Sequence, residues 1–128
     1  MIEPRPTEGE LAILRVLWAK GPATVREVHE VLSRSKDTAY TTVLKMLTIM
    51  ADKGLVQRDE SERSHRYTPT HPEPQVRASL VRDLLDRAFG GSALGLMQSA
   101  LDAEAASPEE LDAIAKLIAQ AKARKGKA

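Results

Sequence analysis

One stretch constrains this chain more than any other: Asp37 to Gly54, DTAYTTVLKMLTIMADKG, whose residues sort cleanly when followed at helical pitch. Val43, Met46, Leu47 and Met50 fall on one stripe, while Thr38, Thr41, Thr42, Lys45 and Thr48 fall on the other face. β-Branched threonines lose rotamer freedom in a helix and propagate it poorly, so a face built from them needs a use beyond solvation. Hydroxyls and a lysine hydrogen-bond phosphate oxygens and base edges, and threonine methyls pack on thymine methyls. Two readings follow. The helix enters a DNA major groove, or it packs its threonine face against another domain or subunit.

The segments before it carry strong local signals. Thr7 and Glu10 form a capping box, after which Leu11, Leu14 and Trp18 recur on one side, with Ile13 and Leu17 widening the stripe. This predicts a helix over about 8–20, stopped by Gly21 and Pro22. Ala23 and Thr24 leave room for a very short strand. A second box, Thr24 with Glu27, opens a helix carrying Val25, Val28 and Leu32. Ser33 to Lys36 is a polar turn, Asp37 or Thr38 is the expected N-cap of the third helix, and Gly54 its stop. Two helices joined by so short a turn have the layout of a helix-turn-helix.

Leu55 to Glu60 reads as a strand, Ser61 to Ser64 as a turn, and His65 to Pro69 as a second strand. Three helices and a terminal hairpin make a winged helix. Arg58, Arg63, His65 and Arg66 cluster on the hairpin, where a wing would follow a phosphate backbone or narrow groove. Asp59, Glu60 and Glu62 beside them favour a solvated strand edge for some of these residues.

Pro69, Pro72 and Pro74 mark a boundary between a domain at 1–70 and a helical region at 71–128. Beyond it Val76, Leu80, Val81, Leu84, Leu85 and Phe89 make a broad apolar side ending at Gly90 and Gly91. A shorter helix over about 92–103 carries Leu94, Met97 and Leu101. A third box, Ser107 and Glu110 with Pro108 at the first helical position, opens a last helix with Leu111, Ile114, Leu117 and Ile118. Three helices in under about 60 residues cannot bury stripes this broad against one another, so the expectation is a homodimer through this half. The tail of Lys122, Arg124, Lys125 and Lys127 is expected to be frayed and solvated. The fold class is therefore mainly α with a small β-hairpin: a winged helix-turn-helix plus a C-terminal helical dimerisation region.

Composition sets the exclusions. The chain has 128 residues, 42% of them hydrophobic, with only one Phe, one Trp and two Tyr, so its core is aliphatic. Without cysteine, disulfides, thiolate catalysis and Cys-based metal sites are excluded. No apolar run approaches the roughly 20 residues of a membrane span and MIEPRPTEGE lacks a signal-peptide core, so the expected location is cytoplasmic, with no membrane partner. The formal charge of +1 does not advertise nucleic acid; attraction to DNA has to come from where the charges sit. His29, at an outward-leaning position, His65 and His71 have no zinc-binding spacing, and there is no Gly-rich phosphate loop. Neither an enzyme nor a metal or cofactor is expected.

The order of these elements and several strings resemble the penicillinase-repressor family, the BlaI/MecI-type winged-helix transcriptional repressors. They are LAILRVLW at 11–18, TVREVHEVL at 24–32, AYTTVLKMLTIMADKGLV at 39–56, HRYTP at 65–69, FGGS at 89–92 and SPEEL at 107–111. The resemblance implies a homodimeric repressor of palindromic operator DNA, regulating β-lactam resistance or related genes. It puts DNA contacts on Ala39, Tyr40, Thr41, Thr42 and Lys45, with Arg63, His65 and Arg66 in the wing; Thr38 completes the candidate set. It also implies a sensor-protease partner that cuts an Asn-Phe bond, which Ser99 and Ala100 do not match. The cysteine cluster of a copper-responsive branch is missing too. The alternative to DNA binding is a winged helix that docks its third helix on a protein partner.

Overall fold

A computed structural model of the chain describes residues 5–126. Six helices and one hairpin follow in order: α1 Glu8–Lys20, α2 Val25–Leu32, α3 Tyr40–Lys53, β1 Val56–Asp59, β2 Arg66–Pro69, α4 Glu73–Ala88, α5 Ala93–Asp102 and α6 Pro108–Gly126. The first two helices start where their capping boxes place them. Thr7 and Thr24 each accept the N–H three residues on, and Glu10 and Glu27 return the bond to the cap backbone.

The third helix begins later than expected. Its N-cap is Ala39, with no side-chain cap, so Asp37 and Thr38 lie in the turn rather than on the helix. The Thr38 hydroxyl donates to the Lys36 carbonyl at 3.0 Å and its own carbonyl accepts from His29, contacts that hold residue 38 in the turn before the helix. At the other end Gly54 adopts φ 83°, ψ 12°, and the N–H groups of Gly54 and Leu55 both return to the last turn.

The hairpin is antiparallel, with Val56 opposite Pro69 and Asp59 opposite Arg66. Ala23 adds a single bridge to Tyr67 on its outer side, which is all that the two residues between α1 and α2 can supply. Ile13, Leu14, Leu17, Val28, Val43, Leu47, Met50 and Tyr67 are almost wholly buried where α1, α2, α3 and the hairpin meet. Val16 is buried as well, which the stripe of α1 did not anticipate.

The chain divides into two compact units, one ending at Leu80 and the other beginning at Val81. The first extends beyond the Pro-rich boundary because α4 starts at Glu73, with Pro74 in its opening turn, and its Val76 is buried. Trp18 reaches the same stretch, donating its indole N–H to the His71 carbonyl at 3.0 Å.

In the second unit the double glycine turn is needed: Gly90 and Gly91 have φ 55° and 83°, a conformation that side chains disfavour. Ser92 caps α5 through the Gly95 N–H, and Ser107 caps α6 through the Glu110 N–H. Helix α6 continues through Gly126, so Lys122, Arg124 and Lys125 are exposed but helical rather than frayed; Lys127 lies outside the described residues.

Candidate nucleic-acid interface

Burial of one face of α3 aims the other. Val43, Leu47 and Met50 have no exposed surface, and each contributes roughly 1.5–3 kcal/mol by leaving water. Turning the helix by one residue would expose them, at a cost of about 5 kcal/mol or more. A second restraint acts at the helix end. Lys53 reaches Glu10 on α1 at 2.9 Å, and Glu10 is nearly buried, with 6% of its side chain exposed. Burial pushes the Glu10 carboxyl up, but the Thr7 N–H and the Lys53 ammonium together hold it below its ordinary value.

The face so presented holds Tyr40, Thr41, Thr42, Leu44, Lys45, Thr48 and Ile49, all exposed. It is less uniformly polar than its threonines suggested, since Leu44 and Ile49 flank it. Thr48 donates its hydroxyl to the Leu44 carbonyl at 2.8 Å and is committed to its own helix. Thr41, Thr42 and Lys45 make no side-chain bond among the described residues, so their polar groups are available to a ligand. Thr38 stands apart from them, half-buried in the turn.

The wing is less cationic than its sequence. Arg58 pairs with Glu60 at 3.0 Å. Arg66 turns back onto Glu27 of α2 at 3.3 Å, a carboxylate that Lys20 also approaches at 3.9 Å. The Thr24 N–H, with help from the Arg66 and Lys20 charges, keeps Glu27 below the usual carboxylate range. Asp59 is lowered chiefly by the Ser61 N–H that it accepts across the start of the turn. Arg63 is exposed and makes no ion pair among the described residues; His65 beside it is exposed too, near the charge of Asp59. Among the described residues, Lys45 of α3, Arg63 of the wing, and Arg34 and Lys36 of the α2–α3 turn are exposed and form no ion pair.

His29 is the residue that sequence reasoning misplaced. It does not lean outward: its Nε2 donates to the Thr38 carbonyl at 2.7 Å, and its ring meets that of Tyr40 edge-on at 5.7 Å. Nothing in the spacing of α2 signals these contacts, because both partners lie beyond the helix. Among the described residues no cluster of His, Asp and Glu is placed to hold a metal ion.

A short α2–α3 turn, a third helix locked by its apolar stripe with free hydroxyls outward, and an adjoining hairpin define a winged-helix protein of the DNA-binding kind. The sequence matches the penicillinase repressor family over residues 6–120, and the chain belongs to that family. It is 38% identical over 120 residues to the transcriptional regulator BlaI of Mycobacterium tuberculosis, covering 91% of this chain and 85% of the relative. The penicillinase repressor of Bacillus licheniformis is 24% identical over 122 residues, 95% of each chain. A solution structure of the DNA binding domain of the repressor BlaI superposes with a TM-score of 0.50 at 27% identity, covering 55% of this chain and 85% of that one.

Proposed function

We propose that this protein is a cytoplasmic transcriptional repressor that binds palindromic operator DNA as a homodimer and controls β-lactam resistance or related genes. The observation that carries the reading is the orientation of α3: Val43, Leu47 and Met50 inward, Thr41, Thr42 and Lys45 outward and unpartnered. In this reading Thr41 and Thr42 face base edges, Lys45 a phosphate, and Tyr40 and Ala39 the backbone at the helix start. Arg63 and His65 follow the neighbouring groove, with Arg66 behind them. Thr38 contributes through the turn that it holds. The family's names, a penicillinase repressor and a transcriptional regulator, support the same assignment.

The second unit supports the homodimer. Helices α5 and α6 have no buried residue, and Leu84, Leu94, Met97, Leu101, Leu111, Leu117 and Ile118 are all exposed. Leu94, Met97, Leu101, Ile114 and Ile118 line one open hollow of about 620 Å³. Leu80, Leu85 and Phe89 are half-buried on the same apolar series. Apolar surface on this scale is stable in water when a second copy covers it. Two copies then present paired helices to a two-fold site. Ser99 and Ala100, the positions that match the family's cleaved bond, lie inside α5, whereas nicking favours exposed loop tips.

A salt series on labelled promoter DNA tests the assignment: affinity falls steeply with salt if phosphates are neutralised, and salt-independent binding overturns it. The second reading is a module that docks α3 on a protein partner. The pairing of Arg58 and Arg66 with carboxylates and the exposed Leu44 and Ile49 favour it. It requires a tight protein partner and no duplex shift even at low salt.

A further inference from the structure

We infer that His29 is a positioning residue for operator recognition: it sets the entry of α3 by holding the Thr38 carbonyl and the Tyr40 ring at once. This rests on the DNA reading above. Helix α3 lacks a side-chain N-cap, unlike α1 and α2, whose threonines fix their first turns. Its start must be fixed otherwise, and the residues around it offer one device. The imidazole of His29, half-buried on the last turn of α2, donates to the carbonyl of Thr38, immediately before the Ala39 cap, at 2.7 Å. A carbonyl only accepts, so Nε2 carries the proton of this bond. The same ring packs edge-on against Tyr40, the first residue of α3, at 5.7 Å.

Both contacts act on one turn and neither reaches solvent-facing Thr41, Thr42 or Lys45. His29 thus governs where those side chains stand, without touching what they touch. The core stripe of Val43, Leu47 and Met50 sets how α3 is rotated; it does not pin the backbone at 38–40, where the first exposed side chains emerge. Small displacements there matter because a bidentate or methyl contact to a base tolerates little error, whereas a phosphate contact accommodates it.

The test uses the full chain and two labelled duplexes: one recovered from a random library by the wild-type protein, and a scramble of the same length. His29→Phe keeps the ring and loses the bond; His29→Gln keeps a donor of similar reach and loses the ring; His29→Ala loses both. We expect His29→Ala to bind the selected duplex about tenfold more weakly and His29→Phe, which keeps the ring contact, about fivefold more weakly, with the scramble and the salt slope unchanged. His29→Gln recovers to within about threefold of wild type. Circular dichroism melts accompany each variant, and a fold-wide defect shows as equal losses on both duplexes, which overturns the inference. So does a His29→Gln variant no better than His29→Phe, or a His29→Ala variant that discriminates as well as wild type. A wild-type protein that recovers no duplex from the library removes the DNA reading itself, and the inference with it.

Discussion

The Glu10–Lys53 pair joins the start of α1 to the end of α3, and its contribution can be worked from its surroundings. Removing one partner of a fully buried pair costs about 3–5 kcal/mol. Here Glu10 has 6% of its side chain exposed but Lys53 has 33%, so roughly half that figure applies. Lys53→Met leaves a nearly buried carboxylate with the Thr7 N–H as its remaining partner, and should cost about 1.5–2.5 kcal/mol. Glu10→Gln preserves that capping bond, lets Lys53 turn to water, and should cost about 1–2 kcal/mol. The double variant should resemble Glu10→Gln alone, since no charge is then left stranded. Urea unfolding followed by circular dichroism at one fixed protein concentration reads the differences as midpoint shifts.

The pH dependence has a definite sign. The folded Glu10 carboxyl titrates below its ordinary value of 4.5, so its stabilisation is complete above that value. It disappears as the pH falls through the lower, folded value. The gap between wild type and Glu10→Gln must therefore be full at pH 7 and close only in acid below about 4.5. Equal midpoints at pH 7, or a gap that persists unchanged at pH 3, would refute the argument.

Other outcomes follow from the same contacts. Lys45→Ala and Arg63→Ala should each weaken binding to all duplexes and lower the salt slope by about one, while Thr41→Ala should change the ranking among duplexes by about 1–3 kcal/mol per altered contact; both are read by anisotropy titrations. Glu27→Gln keeps the α2 cap and frees Arg66, so duplex affinity at low salt should rise by about two- to threefold and the gain should fade at high salt. Leu101→Asp in the exposed apolar hollow should convert the proposed homodimer to a monomer in sedimentation without changing the melting of the first unit. Gly54→Ala puts a Cβ at φ 83° and should cost about 1 kcal/mol, lowering the melting temperature by several degrees.

Most of the fold was legible because its signals are local. Capping boxes at Thr7 and Thr24 act over three residues, glycine stops at Gly54 and Gly90–Gly91 depend on a single dihedral, and the stripe of α3 needs only helical pitch. The N-cap of α3 escaped this logic. Asp37 and Thr38 are good capping residues by type, yet Thr38 sits in the turn, its hydroxyl donating to the Lys36 carbonyl and its own carbonyl accepting from His29, and the helix starts after Ala39. Composition showed an abundance of apolar residues after Val76, and the absence of buried residues on α5 and α6 follows from that abundance in too short a stretch.

By itself the sequence determined the elements, their order, the two-faced character of α3 and the family, since each is written in residues a few positions apart. Tertiary structure alone decided which charges remain free. Arg66 is held by Glu27 across 39 positions, Lys53 by Glu10 across 43, and Trp18 reaches a carbonyl 53 residues away. Charge type is a property of the residue, but availability to a phosphate depends on what folding has already brought within hydrogen-bond reach. That is why a wing with four basic side chains presents so few of them to a ligand, and why a histidine at an outward-leaning position instead bonds the turn that precedes α3.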